Sequence, residues 1–342
     1  MNLKQLSEFL GLSQTTVSRA LNGYPEVSEK TRIRVMEAAR EHHYSPNSRA
    51  TGLATGRAMV IGHVIPMSSR HEIVNPIFGD FVAGALQTYS QHNYDMMFAN
   101  AVDGGEAETY RSLFNRRLVD GVVVQGPKVI EPRIEALRDL GIPFVVHGRS
   151  STEQGSYAWV DVDNTRSFRR ATEFLIDLGH RRIALINGQE DMDFAMRRRK
   201  GFEQALRAAN LPLNPDHMSS EEMTEVAGHD AARDMLRMTT PPTAFMVSSM
   251  ISAFGVRRAI EDAGLKLARD VSLIAHDDDL SYLKNGQDVP IFTATRSSVR
   301  QAGVIAAQIL MDRISRPQRH PETRMLEAEL VVGRSTGPGP GR

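Results

Sequence analysis

Residues Leu3 to Asn22, LKQLSEFLGLSQTTVSRALN, commit the start of this 342-residue chain to two short amphipathic helices joined by a tight turn. Leu3, Leu6 and Leu10 recur at spacings of three and four, the apolar face of one helix. Gly11 follows where that helix must end, and a glycine there takes the left-handed conformation without strain. Ser13 stands where an N-cap is wanted, ahead of a second helix from Gln14 to Leu21. Val17 and Leu21, four apart, turn that helix onto the first. Its other face carries Gln14, Thr15, Ser18, Arg19 and Asn22, short hydrogen-bonding side chains of the kind that reach base edges and phosphates from a helix in the major groove. A helical hairpin with a merely solvated polar face is the plain alternative. The clustering of polar groups at the start of the second helix, where groove contacts are made, favours the DNA reader. A third helix fits Ser28 to His42, with Ser28 as its cap and Ile33, Val35, Met36 and Ala39 closing a small core.

The motifs TVSRALNG, VSEKTRIRV and YSPN, in this order and spacing, resemble the DNA-binding head of the LacI/GalR family of bacterial transcriptional regulators. The resemblance continues through LGHRRIALING, RRRKGF, PPTAFMV, DVSLIAHDDD and VVGRST and so covers essentially the whole chain. It implies an all-α helix-turn-helix head (residues 1–46), a hinge helix (47–57), and an α/β periplasmic-binding-protein-like body of two doubly wound parallel-sheet lobes (58–336). The expected N-lobe is about 58–163 with 292–321, and the expected C-lobe about 164–291 with 322–336. By the same resemblance Gln14, Thr15 and Arg19 choose bases, while Ser13, Thr16, Ser18, Asn22 and Thr31 position phosphates.

The hinge follows Pro46. Asn47 is placed to cap a short helix from Ser48, which the family folds on its operator. Two hinges then enter the minor groove side by side. By position Leu53 matches the apolar wedge that opens a base step, and Ala50 the small residue beside it. Gly52 departs from that pattern, since glycine within a helix costs ~1 kcal/mol relative to alanine. A flexible linker without DNA contact is the alternative.

Composition fits this reading. The chain carries 41 Lys or Arg and 41 Asp or Glu, but its first 57 residues hold eight basic side chains against five Glu. That basic end suits a phosphate-binding head. There is no cysteine, which excludes disulfides and thiolate metal sites and agrees with a reducing compartment. No apolar stretch approaches the ~18–20 residues of a membrane span, and no basic-then-apolar leader opens the chain. A bacterial cytoplasmic protein, nucleoid-associated when bound to DNA, is expected.

From Met59 onward, apolar runs alternate with helical patterns, first from Met59 to Phe144–Val146 and again from Thr165 to Ser272–Ala275. Strands alternating with helices of ten or more residues argue parallel sheets covered on both faces. Two such halves put a cleft at the carboxyl ends of their strands, where ligands bind such folds. The resemblance adds three crossover strands, the first near Val160 to Asp163.

Carried over residue by residue, the family's effector contacts fall on Arg198 in RRKGF and on Asp277 in SLIAHD. A cleft Arg and Asp make charge-assisted hydrogen bonds to ligand hydroxyls, although a structural ion pair or a solvated face would use the same residue types. Asp163 matches another cleft position and equally suits a cap for the helix from Thr165. Phe78 offers an apolar shelf where the N-lobe meets the effector; Trp159 and Phe292 lie at expected crossovers. All three aromatics are equally at home in a core. Gln125, directly after the strand GVVV, can donate an amide to a hydroxyl. Ser249 stands where the family has Asn, so the ligand or its pose should differ from that of galactoside-binding members. The N-terminal stretch and HEIVNPIF resemble α-glucoside utilisation repressors, implying a disaccharide such as maltose, sucrose or trehalose.

No Walker-type loop, no GxGxxG after a strand and no nucleophile elbow is present, which argues against an enzyme. The HDDD run is a poor metal site because consecutive residues at a strand end diverge. A secreted solute-binding protein would share the body but not the head. The expectation is a homodimeric, non-enzymatic repressor of a carbohydrate-utilisation operon, with palindromic operator DNA and a sugar effector as partners and no cofactor, metal or membrane. A purine-type co-repressor-dependent or global regulator is the alternative. No terminal Leu heptad argues for a tetramer. The GPGPGR end, 337–342, is expected to be a disordered tail.

Overall fold

The computed structural model describes residues 1–21, 23–44, 56–66, 74–102, 104–152 and 156–340. It comprises two compact units, Met1–Met59 and Val60–Arg342. In the first unit α1 (Leu3–Leu10), α2 (Gln14–Leu21) and α3 (Glu29–Glu41) enclose Leu6, Leu10, Val17, Ala20, Val27, Val35, Ala38 and Ala39. Asn2 and Gln5 form a reciprocal capping box on α1, and Gly11 ends that helix at φ +63°. Ile33 and Met36, expected in this core, are instead 49% and 50% exposed. Helical spacing explains the difference: Val35 and Ala38–Ala39 share the inward face of α3, and Ile33 and Met36 fall on the other. Asn22 and the hinge positions Asn47, Ala50 and Leu53 lie outside the described residues.

The second unit holds two six-stranded sheets. The first contains β1 (Val60–Pro66), β2 (Asp95–Ala101), β3 (Gly121–Gln125), β4 (Phe144–His147), β5 (Trp159–Val162) and β11 (Thr323–Leu326). Its order is β2-β1-β3-β4-β5-β11, and every neighbouring pair is parallel. The second contains β6 (Ile183–Asn187), β7 (Met218–Ser220), β8 (Ala244–Val247), β9 (Ser272–Asp277), β10 (Thr293–Arg296) and β12 (Glu329–Val331). Its order, β7-β6-β8-β9-β10-β12, repeats the first position for position, except that β12 runs antiparallel. Helices α4 (Pro76–Gln91), α5 (Glu106–Asn115), α6 (Pro132–Asp139) and α11 (Val299–Ser315) cover the first sheet. Helices α7 (Asn164–Asp177), α8 (Asp193–Ala208), α9 (Glu225–Leu236) and α10 (Met250–Asp262) cover the second.

The chain passes between lobes at Asp163, at 297–298 and at 327–328, in each case just beyond the carboxyl end of a strand. The later two crossings correct the expected boundaries. Thr293–Arg296 pairs with β9 and belongs to the C-lobe; Thr323–Leu326 pairs with β5 and belongs to the N-lobe. Strands of four residues are too short to show a periodicity from which to place them.

The terminal Gly-Pro segment is also more ordered than expected. The Gly337 carbonyl accepts from His180 Nε2 at 3.1 Å, and Gly339 N donates to the Leu178 carbonyl at 2.8 Å. Lacking side chains, these glycines lie directly on backbone: an added Cβ at Gly339 would sit 2.5 Å from the Gly179 carbonyl carbon. The 337–339 part of the tail is thus packed on the C-lobe.

Two helices from opposite ends of the body meet in the N-lobe. A Cβ at Gly84 of α4 would lie 2.0 Å from the Arg300 carbonyl oxygen, and one at Gly303 of α11 would lie 2.1 Å from that of Phe81. Backbone cannot yield as a flexible side chain can, so Gly303→Ala must push α11 off α4. Such overpacking costs ~1–3 kcal/mol. Urea unfolding of the variant should show a lowered midpoint; an unchanged midpoint would mean that the two helices are not held this close.

Candidate functional site

On the first unit, Gln14, Thr15 and Arg19 project from α2 as exposed side chains. Ser13 and Thr16 are bound locally. Thr16 N donates to Ser13 Oγ at 3.0 Å, and the two hydroxyls are 2.9 Å apart. Thr31 stands in the same relation to Ser28 at the start of α3, with 2.9 Å between hydroxyls. Ser18 is half-buried on α2. The polar face expected for a groove reader is therefore presented by one helix, with capping hydroxyls at its edge, and its long side chains face outward.

In the body, Arg198 is the centre of a buried polar network. It rises from α8 and is buried, with its guanidinium 5.1 Å from the Phe168 ring centroid and 4.8 Å from that of Phe194. Nε donates to Asn164 Oδ1 at 2.8 Å and Nη1 to the Ser248 carbonyl at 2.6 Å. Burial pulls its pKa down to about 10, against the opposing pull of Asp278 and Asp161, so it remains charged at neutral pH. The network runs into both lobes. Asn164 Nδ2 donates to the Val162 carbonyl at 3.1 Å, and Arg149 Nε donates to Asp161 Oδ2 at 2.8 Å, with the Arg149 guanidinium 5.3 Å from the Trp159 ring. On the other side Ser248 Oγ donates to Asn187 Oδ1 at 2.6 Å.

The remaining expected residues fall into three groups. Phe78, on the first turn of α4, is buried with its ring 5.9 Å from that of Phe98, and Gln125 ends β3 with its Nε2 buried and without a hydrogen-bond partner among the described residues. Asp163 and Ser249 serve as helix caps, accepting from Arg166 N at 3.1 Å and Ile251 N at 3.0 Å. Trp159 is half-buried beside Arg149. Phe292 is fully buried in the C-lobe core, edge-on to Phe254 at 5.2 Å, and so leaves the set of cleft-wall candidates. It stands one residue before β10, at the strand's amino end and so away from the carboxyl ends that face the other lobe.

Asp277 is buried, but its Oδ1 accepts from Asp279 N at 2.9 Å and its nearest cation is Arg296 at 4.0 Å. It lines a cavity of about 100 Å³ together with Leu280, Lys284 and Gly286 of the loop that follows β9. Burial pushes its pKa up. The carboxylates that act on Arg198 are Asp278 and Asp161. Sequence reading missed Asp278 and also His147, which ends β4 and stacks on Phe81 at 4.4 Å. Burial lowers the His147 pKa to about 4, opposed by Asp278 from the other lobe.

The lobes are held against each other at two rims. At one, Asp193 Oδ2 accepts from Ser151 N at 2.6 Å, Asp193 N donates to the Pro127 carbonyl at 3.0 Å, and Lys128 Nζ lies 3.1 Å from Asp191. Arg197 pairs with Asp193 and reaches Ser151 Oγ at 2.8 Å. At the other, Asp80 of α4 accepts from Ser281 N at 2.6 Å and Ser281 Oγ at 2.7 Å, and from Arg300 at 2.8 Å. A floor charge, aromatic rings and closable rims are what an interlobe ligand site requires.

The head matches the family described as bacterial regulatory proteins, lacI family, over residues 6–47, and the body matches the periplasmic binding protein-like domain over residues 172–336. The chain is 47% identical over 344 residues to the HTH-type transcriptional regulator AglR of Rhizobium meliloti (strain 1021), covering 100% of this chain and 96% of that one. It is 30% identical over 336 residues to the HTH-type transcriptional regulator CelR of Thermobifida fusca, covering 97% of each. A solved transcriptional regulator CelR–cellobiose complex has a TM-score of 0.72 at 28% identity, covering 97% of this chain and 99% of that one. The Lac repressor dimer bound to operator and the anti-inducer ONPF shares the fold, with a TM-score of 0.82 at 23% identity and 97% of each chain covered.

The Asp80 rim carries a pH signature. Burial would raise its carboxyl pKa, but hydrogen bonds from Ser281 and Arg300 outweigh it and hold the value below the ordinary 3.8. A depressed carboxylate stabilises the folded state fully above its ordinary pKa and loses that contribution as pH falls through the folded value. The stability difference between wild type and Asp80→Asn should therefore be constant near neutrality and shrink as the solution is acidified below 3.8. Urea midpoints of both proteins across that range test this; a gap that ignores pH would assign the difference to packing.

Proposed function

Because this chain belongs to the LacI family of bacterial regulatory proteins and is a DNA-binding transcriptional regulator rather than an enzyme, we propose that it represses a carbohydrate-utilisation operon and releases its operator when a sugar binds between its lobes. The observation that carries the sugar reading is Arg198. A guanidinium that stays charged, hydrogen-bonded through Nε and Nη1 and set between Phe168 and Phe194, joins a charged donor to apolar rings. Saccharides present the complementary surfaces: hydroxyls on their edges and apolar C–H faces. The CelR–cellobiose complex supports the same class of ligand. An α-glucoside, as the N-terminal stretch and HEIVNPIF suggest, is the specific effector in this reading.

The protein acts in the bacterial cytoplasm as a homodimer, each head reading half of a palindromic operator. Gln14, Thr15 and Arg19 are the base readers in this scheme, and Leu53 of the hinge wedges the minor groove. Arg19→Ala should lose ~1–3 kcal/mol of operator affinity and relax preference at one base position. Leu53→Ala should weaken operator binding and leave non-specific binding largely intact. Mobility-shift titrations on single-base operator variants measure both. An Arg19→Ala protein with unchanged base preference would remove that residue from the readers.

Arg198→Ala should bind operator and ignore the sugar, since one charge-assisted hydrogen bond contributes ~1.5–3 kcal/mol of ligand affinity. Maltose, sucrose and trehalose, with guanine and hypoxanthine beside them, are titrated into protein–operator complexes of wild type and variant. The sugar reading fails if no sugar alters operator binding while a purine does. The role of Arg198 fails if the variant releases DNA at the same sugar concentration as wild type.

A further inference from the structure

The last residues of the chain lie across the amino ends of the C-lobe strands, away from the carboxyl ends where the chain crosses between lobes. Ser335 is buried there. Leu273 N donates to its carbonyl at 2.9 Å, its Oγ donates to the Leu273 carbonyl at 2.5 Å, and Thr293 N donates to that Oγ at 2.8 Å. Gly333 N donates to Thr293 Oγ1 at 3.0 Å, and Gly337 N to Ser272 Oγ at 3.0 Å. Ser272 and Thr293 are the first residues of β9 and β10. Under this segment lies His180, buried on the turn between α7 and β6. Its ring is held on both edges. Nδ1 is 3.0 Å from Thr243 Oγ1; Nε2 is 2.9 Å from Ser272 Oγ and 3.1 Å from the Gly337 carbonyl oxygen. A carbonyl only accepts, so Nε2 carries the hydrogen, and in the neutral ring Nδ1 accepts from the Thr243 hydroxyl.

We propose that residues 333–339 form a strap over the amino end of the C-lobe sheet, that His180 is its bolt, and that the strap lifts when the His180 ring becomes a cation. A second proton goes to Nδ1. It places a full charge where, among the described residues, hydroxyls and a carbonyl are the hydrogen-bond partners of the ring and no carboxylate is. Burying a cation without such a partner is costly. The charged side chains of the surrounding segments are engaged elsewhere. Arg181 donates to the Ile176 carbonyl at 3.2 Å, Arg182 to the Pro241 carbonyl at 2.8 Å, and Arg269 pairs with Asp270 at 2.6 Å. Asp177 and Arg334 are exposed. Lifting Gly337 off Nε2 returns the charged ring to water. Burial lowers the His180 pKa from its ordinary 6.5, and the Gly337 carbonyl opposes that without reversing it. A histidine shifted this way stabilises the docked strap fully above 6.5, and that contribution is lost as pH falls towards the folded value. The dock is also closed to a larger residue at its centre: a Cβ on Gly337 would lie 2.0 Å from the Ala268 carbonyl oxygen.

The chain has no cysteine, so Pro340→Cys, at an exposed position, gives a single site for a nitroxide label on the whole protein. At pH about 7.5, where a histidine is neutral, the label should be restrained. Between about pH 6.5 and about pH 5 a mobile component should grow, the ratio of free to docked tail rising by up to about tenfold per pH unit, the limit for one proton. In His180→Gln the amide can donate to Gly337 but takes up no proton, so the label should stay restrained over the whole range. If His180→Gln does not fold, Gly337→Ala decides from the other side. Its label should be mobile already at neutral pH, and its His180 ring, followed by long-range nitrogen–proton spectra, should gain a proton at higher pH than in the unsubstituted chain. The proposal is overturned if the label is mobile at neutral pH with Gly337 and His180 in place, or if it stays restrained on acidification. It is equally overturned if His180→Gln releases the tail in acid as the unsubstituted chain does, or if Gly337→Ala leaves the titration of the ring where it was.

Discussion

A guanidinium withdrawn from water must be satisfied on the spot, and the satisfaction of Arg198 organises the body of this protein. An unpaired buried charge is costly enough to forbid the arrangement altogether. The partners that make it tolerable come from separate segments: Asn164, at the point where the chain first leaves the N-lobe, and the carbonyl of Ser248, just after β8. Phe168 and Phe194 supply the faces that a weakly hydrated, delocalised cation accepts. One side chain thus ties α8 to the crossover and to the strand ends.

The rims have a different character. Their contacts are carboxylate to backbone amide, carboxylate to hydroxyl and surface ion pairs, made by Asp80, Asp191 and Asp193. The Lys128–Asp191 pair is exposed, and such a pair contributes little; Asp80 and Asp193 are buried carboxylates satisfied by the opposite lobe. A ligand shifts the balance between lobe arrangements only by binding one better than the other. A buried network anchored in the C-lobe, with rims that join the two lobes, is suited to that difference. By reciprocity, whatever the ligand does to operator affinity, operator must do to ligand affinity.

Much of this was legible in the sequence, for physical reasons that differ by region. The first two head helices announce themselves because amphipathic spacing, Gly11 and Ser13 are local signals, and the third misled only where Ile33 and Met36 are apolar yet outward-facing. Arg198 was reachable because RRKGF lies on a long helix. Asp277 was chosen by its place in a motif, whereas the field of Asp278 on Arg198 comes from residues far apart in the chain. Phe292 and Trp159 show the same limit: an aromatic near a crossover can face a core or a cleft, and only packing decides. His147 carried no signal beyond its position at the end of an apolar strand. The ordering of Gly337 to Gly339 was hidden because its partners, His180 and Ser272, are distant in the chain.

The return of the chain into the N-lobe has a consequence for biogenesis. Domains fold as units and from the N-terminus during synthesis, but here the first lobe to be started cannot be completed in its turn. Until α11 has left the ribosome, the sheet face against which it packs, at β3, β4 and β5, has lost one of its covering helices, and the β5 edge has no neighbour until β11 arrives. The C-lobe, by contrast, runs almost uninterrupted from α7 to β10 and waits only for an edge strand. The nascent protein therefore carries an exposed apolar sheet face from the synthesis of β5 until that of α11. A message truncated before residue 299 would yield a chain whose DNA-reading helices are complete while the lobe that follows them stays open to aggregation.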